Sequence, residues 1–237
     1  MRLLGYSTGA VALGDFSRAL SILAKFDFRA IELSALRTSE VEPLLQALPN
    51  LKLGRYDYVS FHAPSAFRED EEERLISLLS KLPAEWPIIL HPDALFRPSR
   101  WVALSGKLAI ENMDRRKSTG RSVSELKSIF EVLPKARMCF DLGHARQVDP
   151  SMISAYELLT AFADRIVQLH LSEVDTLNRH DVISRAARMA FFQIRQFVPK
   201  TAVLILESRV EEKNVREEAN KVECLFDLSC RSEHAFA

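Results

Sequence analysis

Six residues of metal-ligand type each stand directly after a short apolar run. His62 follows Val59-Ser60-Phe61, His91 follows Ile88-Ile89-Leu90, and Glu111 follows Leu108-Ala109-Ile110. Asp141 follows Met138-Cys139-Phe140, His170 follows Val167-Gln168-Leu169, and Glu207 follows Leu204-Ile205-Leu206. Two more lie one short loop step further on: His144 in Asp141-Leu142-Gly143-His144 and His180 in Asn178-Arg179-His180-Asp181. Taken singly, a His or Glu at a strand end is most often a hydrogen-bonded structural residue or a helix cap. Gathered at one rim, three carboxylates and three imidazoles would repel and desolvate one another unless cations sat among them. The mixed nitrogen and oxygen donors suit Zn²⁺, Mn²⁺ or Fe²⁺, whereas Mg²⁺ or Ca²⁺ prefers oxygen alone. His234, in the polar tail, stands outside this pattern. Cys139, Cys224 and Cys230 make neither a disulfide framework nor a CxxC metal pair, so reduced thiols with no metal role are expected.

Convergence requires a fold that brings these positions together. Apolar runs of strand length occur at 3–6, 30–33, 58–61, 87–90, 108–110, 137–140, 166–169 and 202–206. Most are continuously apolar rather than alternating, the mark of parallel strands buried on both faces. Between them lie helical spacings such as Phe16, Leu20, Leu23, Ala24; Leu75, Leu78, Leu79, Leu82; and Val123, Leu126, Ile129, Phe130, Leu133. Eight βα units of about thirty residues each predict an α/β fold, a single (β/α)8 TIM barrel. It would span residues 1–237, with a core over about 2–228. Strand C-terminal ends surround one mouth in that fold, so ligands far apart in sequence reach one cavity. An open doubly wound sheet is the competing architecture. Gly5 and Gly9, the glycines at the first strand, are spaced four apart and make no GxGxxG turn that would support it.

The chain has 237 residues, 47% of them hydrophobic and 27% charged, which is enough to bury a sizeable core and excludes general disorder. Lys plus Arg and Asp plus Glu are 32 each, so no net field draws the protein to nucleic acid or anionic lipid. No apolar run approaches a membrane span and the N-terminus lacks a signal-peptide pattern, so no membrane partner and a cytoplasmic location are expected. The charged stretch from Arg68 to Arg74 reads as a solvated, acidic helix start.

Phe61-His62-Ala63-Pro64, Ile110-Glu111-Asn112, Asp141-Leu142-Gly143-His144, His170-Leu171-Ser172, Arg179-His180 and Leu206-Glu207-Ser208, in this order at strand ends, resemble the xylose isomerase-like TIM-barrel superfamily. That group includes endonuclease IV-type apurinic/apyrimidinic endonucleases (AP endonuclease family 2) and sugar phosphate isomerases and epimerases. The resemblance implies that Glu111, Asp141, His170 and Glu207 form a four-ligand metal site. It makes His62 and His91, bridged by Glu111, a second site, and His144 and His180 two ligands of a third. The third site's remaining Asp is matched here by Asn178, a weak zinc ligand, with Asp181 or Asp175 as candidate substitutes. Two zinc ions, with a third in question, are implied; Mn, Fe or Co fit the same donors.

Two chemistries follow. The first is metal-assisted phosphoester hydrolysis on a small phosphorylated or sugar-containing molecule, with metals holding a phosphate oxygen and acidifying a bridging water. Arg115, Arg116, Lys117 and Arg179 are the candidate contacts for an anionic substrate. The alternative is a sugar or sugar-phosphate isomerase or epimerase in which Glu111 and Glu207 carry a proton around one metal. The number of imidazoles favours hydrolysis. Duplex DNA is disfavoured, because the loop after the third strand runs into the acidic residues Glu69 to Glu73. A third alternative, an inactive metal-binding barrel, rests on Asn178 alone.

Overall fold

The computed structural model describes residues 2–177 and 179–228. Its strands are β1 (Leu4–Ser7), β2 (Ala30–Ser34), β3 (Tyr58–His62), β4 (Ile88–Leu90), β5 (Leu108–Glu111), β6 (Arg137–Asp141), β7 (Ile166–Leu171), β8 (Glu173–Val174), β9 (His180–Asp181) and β10 (Val203–Leu206). Among the described residues, eight of these close a parallel barrel in the order β1-β10-β7-β6-β5-β4-β3-β2. The pairing of β1 with both β2 and β10 completes the closure, as the βα repeat predicts. Each of the eight predicted strands is present.

Alternation along the strands divides the side chains into two sets. Leu33, Phe61, Leu90, Ile110, Phe140, Leu169 and Leu206 join the large core between barrel and helices. Ile89, Ala109 and Cys139 form a separate cluster, and Ala30, Val203 and Ile205 another, filling the barrel's interior. Above that apolar floor, positions two residues further along the same strand face project toward the mouth. This places His91, Glu111, Asp141 and Glu207 above Ile89, Ala109, Cys139 and Ile205. Barrel closure leaves little room at β1, where a side chain on Gly5 would run into the carbonyl oxygen of Ala30.

The short antiparallel hairpin of β8 and β9 was not foreseen; it pairs Val174 with His180 and folds that histidine back over the mouth. The acidic stretch forms a 3₁₀ turn, Glu69–Glu71, leading into the helix Glu72–Leu79, with Glu71 Oε2 accepting from Arg68 N at 2.9 Å. Cys139 is a buried free thiol, but Cys224 departs from the expected reduced state and is disulfide-bonded. Asn178, Cys230 and His234 lie outside the described residues. Among the described residues no helix is long and apolar enough to cross a membrane.

Candidate metal centre

The strand ends bring all eight expected ligand-type residues to one cavity region. His170, on β7, is fully buried at its centre. Its Nδ1 lies 2.7 Å from Glu111 Oε1 and 3.3 Å from Glu207 Oε2. Asp141 completes a group in which Glu111, Asp141, His170 and Glu207 each offer a ligand atom within 4.8 Å of the others. The other face of Glu111 meets two imidazoles, with Oε2 3.4 Å from His62 Nε2 and 3.0 Å from His91 Nε2. His62, Glu111 and His170 form a second compact group, and Asp141, His144 and His180 a third. His91 touches Glu111 but joins none of these groups.

Local structure holds the side chains in place. Asp141 caps the helix Leu142–Val148 by accepting from His144 N at 2.7 Å, which turns the His144 ring back toward the mouth. His144 Nδ1 lies 2.9 Å from Asn112 O, and the Ser172 hydroxyl and His180 Nδ1 share a hydrogen bond of 2.8 Å. Gly143 gives the helix its close approach, since a Cβ there would lie 2.7 Å from Ser172 O.

The donor set fits a divalent cation. Glu111 Oε2 and Asp141 Oδ2 are buried acceptors that face imidazole nitrogens at 3.0–3.5 Å without a well-aligned hydrogen bond. Such acceptors cost about 1–3 kcal/mol each unless something positive compensates them.

The protein groups alone titrate far from their ordinary values. Burial opposes ionisation of Glu111, yet His170, His62 and His91 outweigh it and hold its carboxyl well below the usual range. Burial, reinforced by the Glu111, Glu32 and Asp141 carboxylates, pushes Glu207 up to about 8. His62 is raised to about 9: burial resists the charge, but Glu111, Glu32 and Glu207 prevail. Burial and the neighbouring His144 press His180 down to about 3. Among the protein groups alone, the two carboxylates flanking one imidazole are thus shifted in opposite directions.

The cavity has a volume of about 620 Å3. Arg116, Lys117 and Arg179 line it, but each is engaged: Arg116 with Asp114, Lys117 with Asp93, and Arg179 with Asp175, all at 2.8–2.9 Å. Arg115 is a correction. It does not line the cavity, because its guanidinium donates to Gln147 O at 2.7 Å on the outside of the loop. Arg209, two residues past Glu207, does line the cavity and has no ion pair among the described residues.

Neither candidate substitute for the third site's Asp serves that role. Asp175 is taken up by Arg179, and exposed Asp181 bonds Val182 N. Asp141 is the carboxylate beside His144 and His180. Sequence reasoning also missed Glu32, which is fully buried below the ligands with Oε2 2.9 Å from His170 Nε2. Its signal in the sequence is a charge inside the otherwise apolar run Ala30-Ile31-Glu32-Leu33, away from the strand ends.

Fold and site together define a (β/α)8 barrel with an acid and imidazole cluster at the C-terminal mouth. No family model matches the sequence, and no curated protein matches it. Solved structures do match. A xylose isomerase domain protein from Planctomyces limnophilus is 12% identical with a TM-score of 0.59, covering 96% of both chains. A D-allulose 3-epimerase from Methylomonas sp. is 18% identical with a TM-score of 0.54, covering 92% of this chain and 90% of its own. An L-ribulose 3-epimerase is 16% identical with a TM-score of 0.54, covering 92% and 86%. The expected resemblance to xylose isomerase-like barrels is therefore met at the level of fold.

Proposed function

We propose that the protein is a divalent-metal-dependent isomerase or epimerase acting on a small sugar or sugar phosphate. The observation that carries this reading is the convergence of Glu111 and Glu207 on one imidazole nitrogen, His170 Nδ1, in a cluster completed by Asp141. The names of two similar structures, L-ribulose 3-epimerase and D-allulose 3-epimerase, favour it over the hydrolysis expected from the histidine count. A cavity of this volume suits a monosaccharide-sized ligand.

A cation held by Glu111, Asp141, His170 and Glu207 would supply Lewis acidity toward a substrate carbonyl and its neighbouring hydroxyl. Glu111, held ionised, takes a proton from the carbon beside the carbonyl. Glu207, the carboxyl on the other side of the His170 nitrogen, is placed to return one; burial raises its proton affinity among the protein groups alone, and a bound cation would compete for that proton. Ser7, Ser34 and Ser65 on the cavity wall offer hydrogen bonds to sugar hydroxyls.

Hydrolysis stays as a second reading because of one specific arrangement: His62 and His91 against Glu111 Oε2, beside the Asp141, His144 and His180 group. Incubating metal-loaded protein with a panel of ketoses and ketose phosphates in D2O separates the two. Interconversion with one deuterium placed beside the carbonyl, abolished in Glu111→Gln, is expected. Phosphate release without sugar interconversion would turn the reading to hydrolysis.

A further inference from the structure

A row of polar side chains crosses the barrel interior one layer below the ligands, and none of it is needed to hold an ion directly. Tyr58 on β3 donates its hydroxyl to Gln168 Oε1 at 2.9 Å. That bond fixes the amide's orientation, so Gln168 Nε2 points across the barrel and donates to Glu32 Oε2 at 2.7 Å. The same Glu32 oxygen lies 2.9 Å from His170 Nε2; Gln168 Nε2 lies 2.8 Å from that ring nitrogen, so with a hydrogen on Nε2 the two are donors converging on Glu32 Oε2 and not partners of each other. Ser60 Oγ reaches Glu32 Oε2 at 3.5 Å. Glu32, Gln168 and His170 are all fully buried, so these contacts are not screened by solvent.

An imidazole can offer a lone pair to a cation through only one nitrogen, and the other must then carry its proton. His170 directs Nδ1 at Glu111 and Glu207, so Nε2 must carry the hydrogen, and it needs an acceptor on the far side of the ring. Glu32 is that acceptor, placed by Gln168, which is placed in turn by Tyr58. Burying a carboxylate here is costly: Glu32 Oε1 has no hydrogen-bond partner, which on packing grounds alone would favour an apolar residue. We propose that Glu32, oriented by Gln168, is a positioning residue that fixes the tautomer and ring plane of His170, so that Nδ1 faces the metal centre. This inference rests on the metal reading above.

Equilibrium chelator competition for Co²⁺, read together with the cobalt visible absorption spectrum, tests it without an activity assay. Glu32→Gln is nearly isosteric and removes the charge; Glu32→Leu removes the acceptor. Groups that hydrogen-bond the far nitrogen of a ligating histidine are worth roughly tenfold to hundredfold in metal affinity. A loss in that range is expected, greater for Leu than for Gln, together with an altered spectrum. Tyr58→Phe, which frees the Gln168 amide to turn, is expected to produce a smaller loss of the same kind. Glu72→Gln is the control for disturbing a buried glutamate. Glu72 is also fully buried and accepts from Trp101 Nε1 at 2.9 Å, away from the mouth, so its substitution should leave affinity and spectrum unchanged. Should Glu32→Leu fail to fold, the Gln variant carries the test. Unchanged cobalt affinity and spectrum in folded Glu32→Gln would overturn the positioning role alone. A parent protein that binds no cobalt would overturn the metal reading together with it.

Discussion

Asn112 and Asp141 exchange two hydrogen bonds across neighbouring strand ends. Asn112 Nδ2 donates to Asp141 O at 2.9 Å, and Asp141 N donates to Asn112 Oδ1 at 2.8 Å. Both residues are buried, and the pair locks the end of β6 against the residue that follows Glu111. Asn112→Leu leaves the buried Asp141 N–H unpaired, at about 1–3 kcal/mol, while Asp141 O keeps its acceptance at the start of the helix Leu142–Val148. Urea denaturation should show a loss of about 1–3 kcal/mol. A change within about 0.5 kcal/mol, the range of ordinary surface substitutions, would mean that the pair has no stabilising role.

The cations at the mouth are not equivalent. Arg116, Lys117 and Arg179 are neutralised by aspartates, Arg115 faces away, and Arg209 is left to meet an anion. Arg209→Ala should raise KM for a phosphorylated ketose about tenfold, near 1.4 kcal/mol, and leave KM for the free ketose unchanged. Arg115→Ala should alter neither. Steady-state kinetics on the paired substrates checks this, and equal effects on both substrates would remove Arg209 from the anion contact.

Stability of the metal-free protein should fall as pH rises from about 6.5 to about 9. His62, raised to about 9, and Glu207, raised to about 8, bind protons in the folded state that the unfolded chain has already released. Unfolding is then favoured by rising pH through that window. His144 and His170 are also raised, because nearby carboxylates outweigh the opposing effect of burial, and they act in the same direction. His180, pressed down to about 3 by burial and His144, acts only below the ordinary histidine range. Divalent metal competes with these protons, so the stabilisation it confers should grow over the same interval. Thermal unfolding at half-unit pH steps, with and without metal, provides the measurement. A metal-free melting temperature that climbs from pH 6.5 to 9 would be inconsistent with these shifts.

Much of the fold was legible because continuously apolar strands state their own burial, and the ligand types after Phe61, Leu90, Ile110, Phe140, Leu169 and Leu206 mark the ends that share a mouth. Positions decided by pairing between distant elements were less legible. His180 reaches the site through a hairpin of two-residue strands, too short to leave a periodic signal. Arg115 and Arg116 are adjacent, yet the turn set by Asp114 sends one outward to Gln147 and the other to the cavity. Glu32 acquires its partners from β3 and β7, strands whose closeness to β2 exists only after closure and register are fixed.

On the proposed reading, these widely separated acids and imidazoles hold a cation in one place. Metal content per chain, measured on protein purified without chelator, tests it most directly. About one tightly held divalent equivalent is expected in the wild type and in His91→Ala, and its loss together with turnover in Glu111→Gln. A wild-type chain that carries no divalent ion and takes none up, or a Glu111→Gln variant that keeps both its ion and its turnover, would contradict the claim.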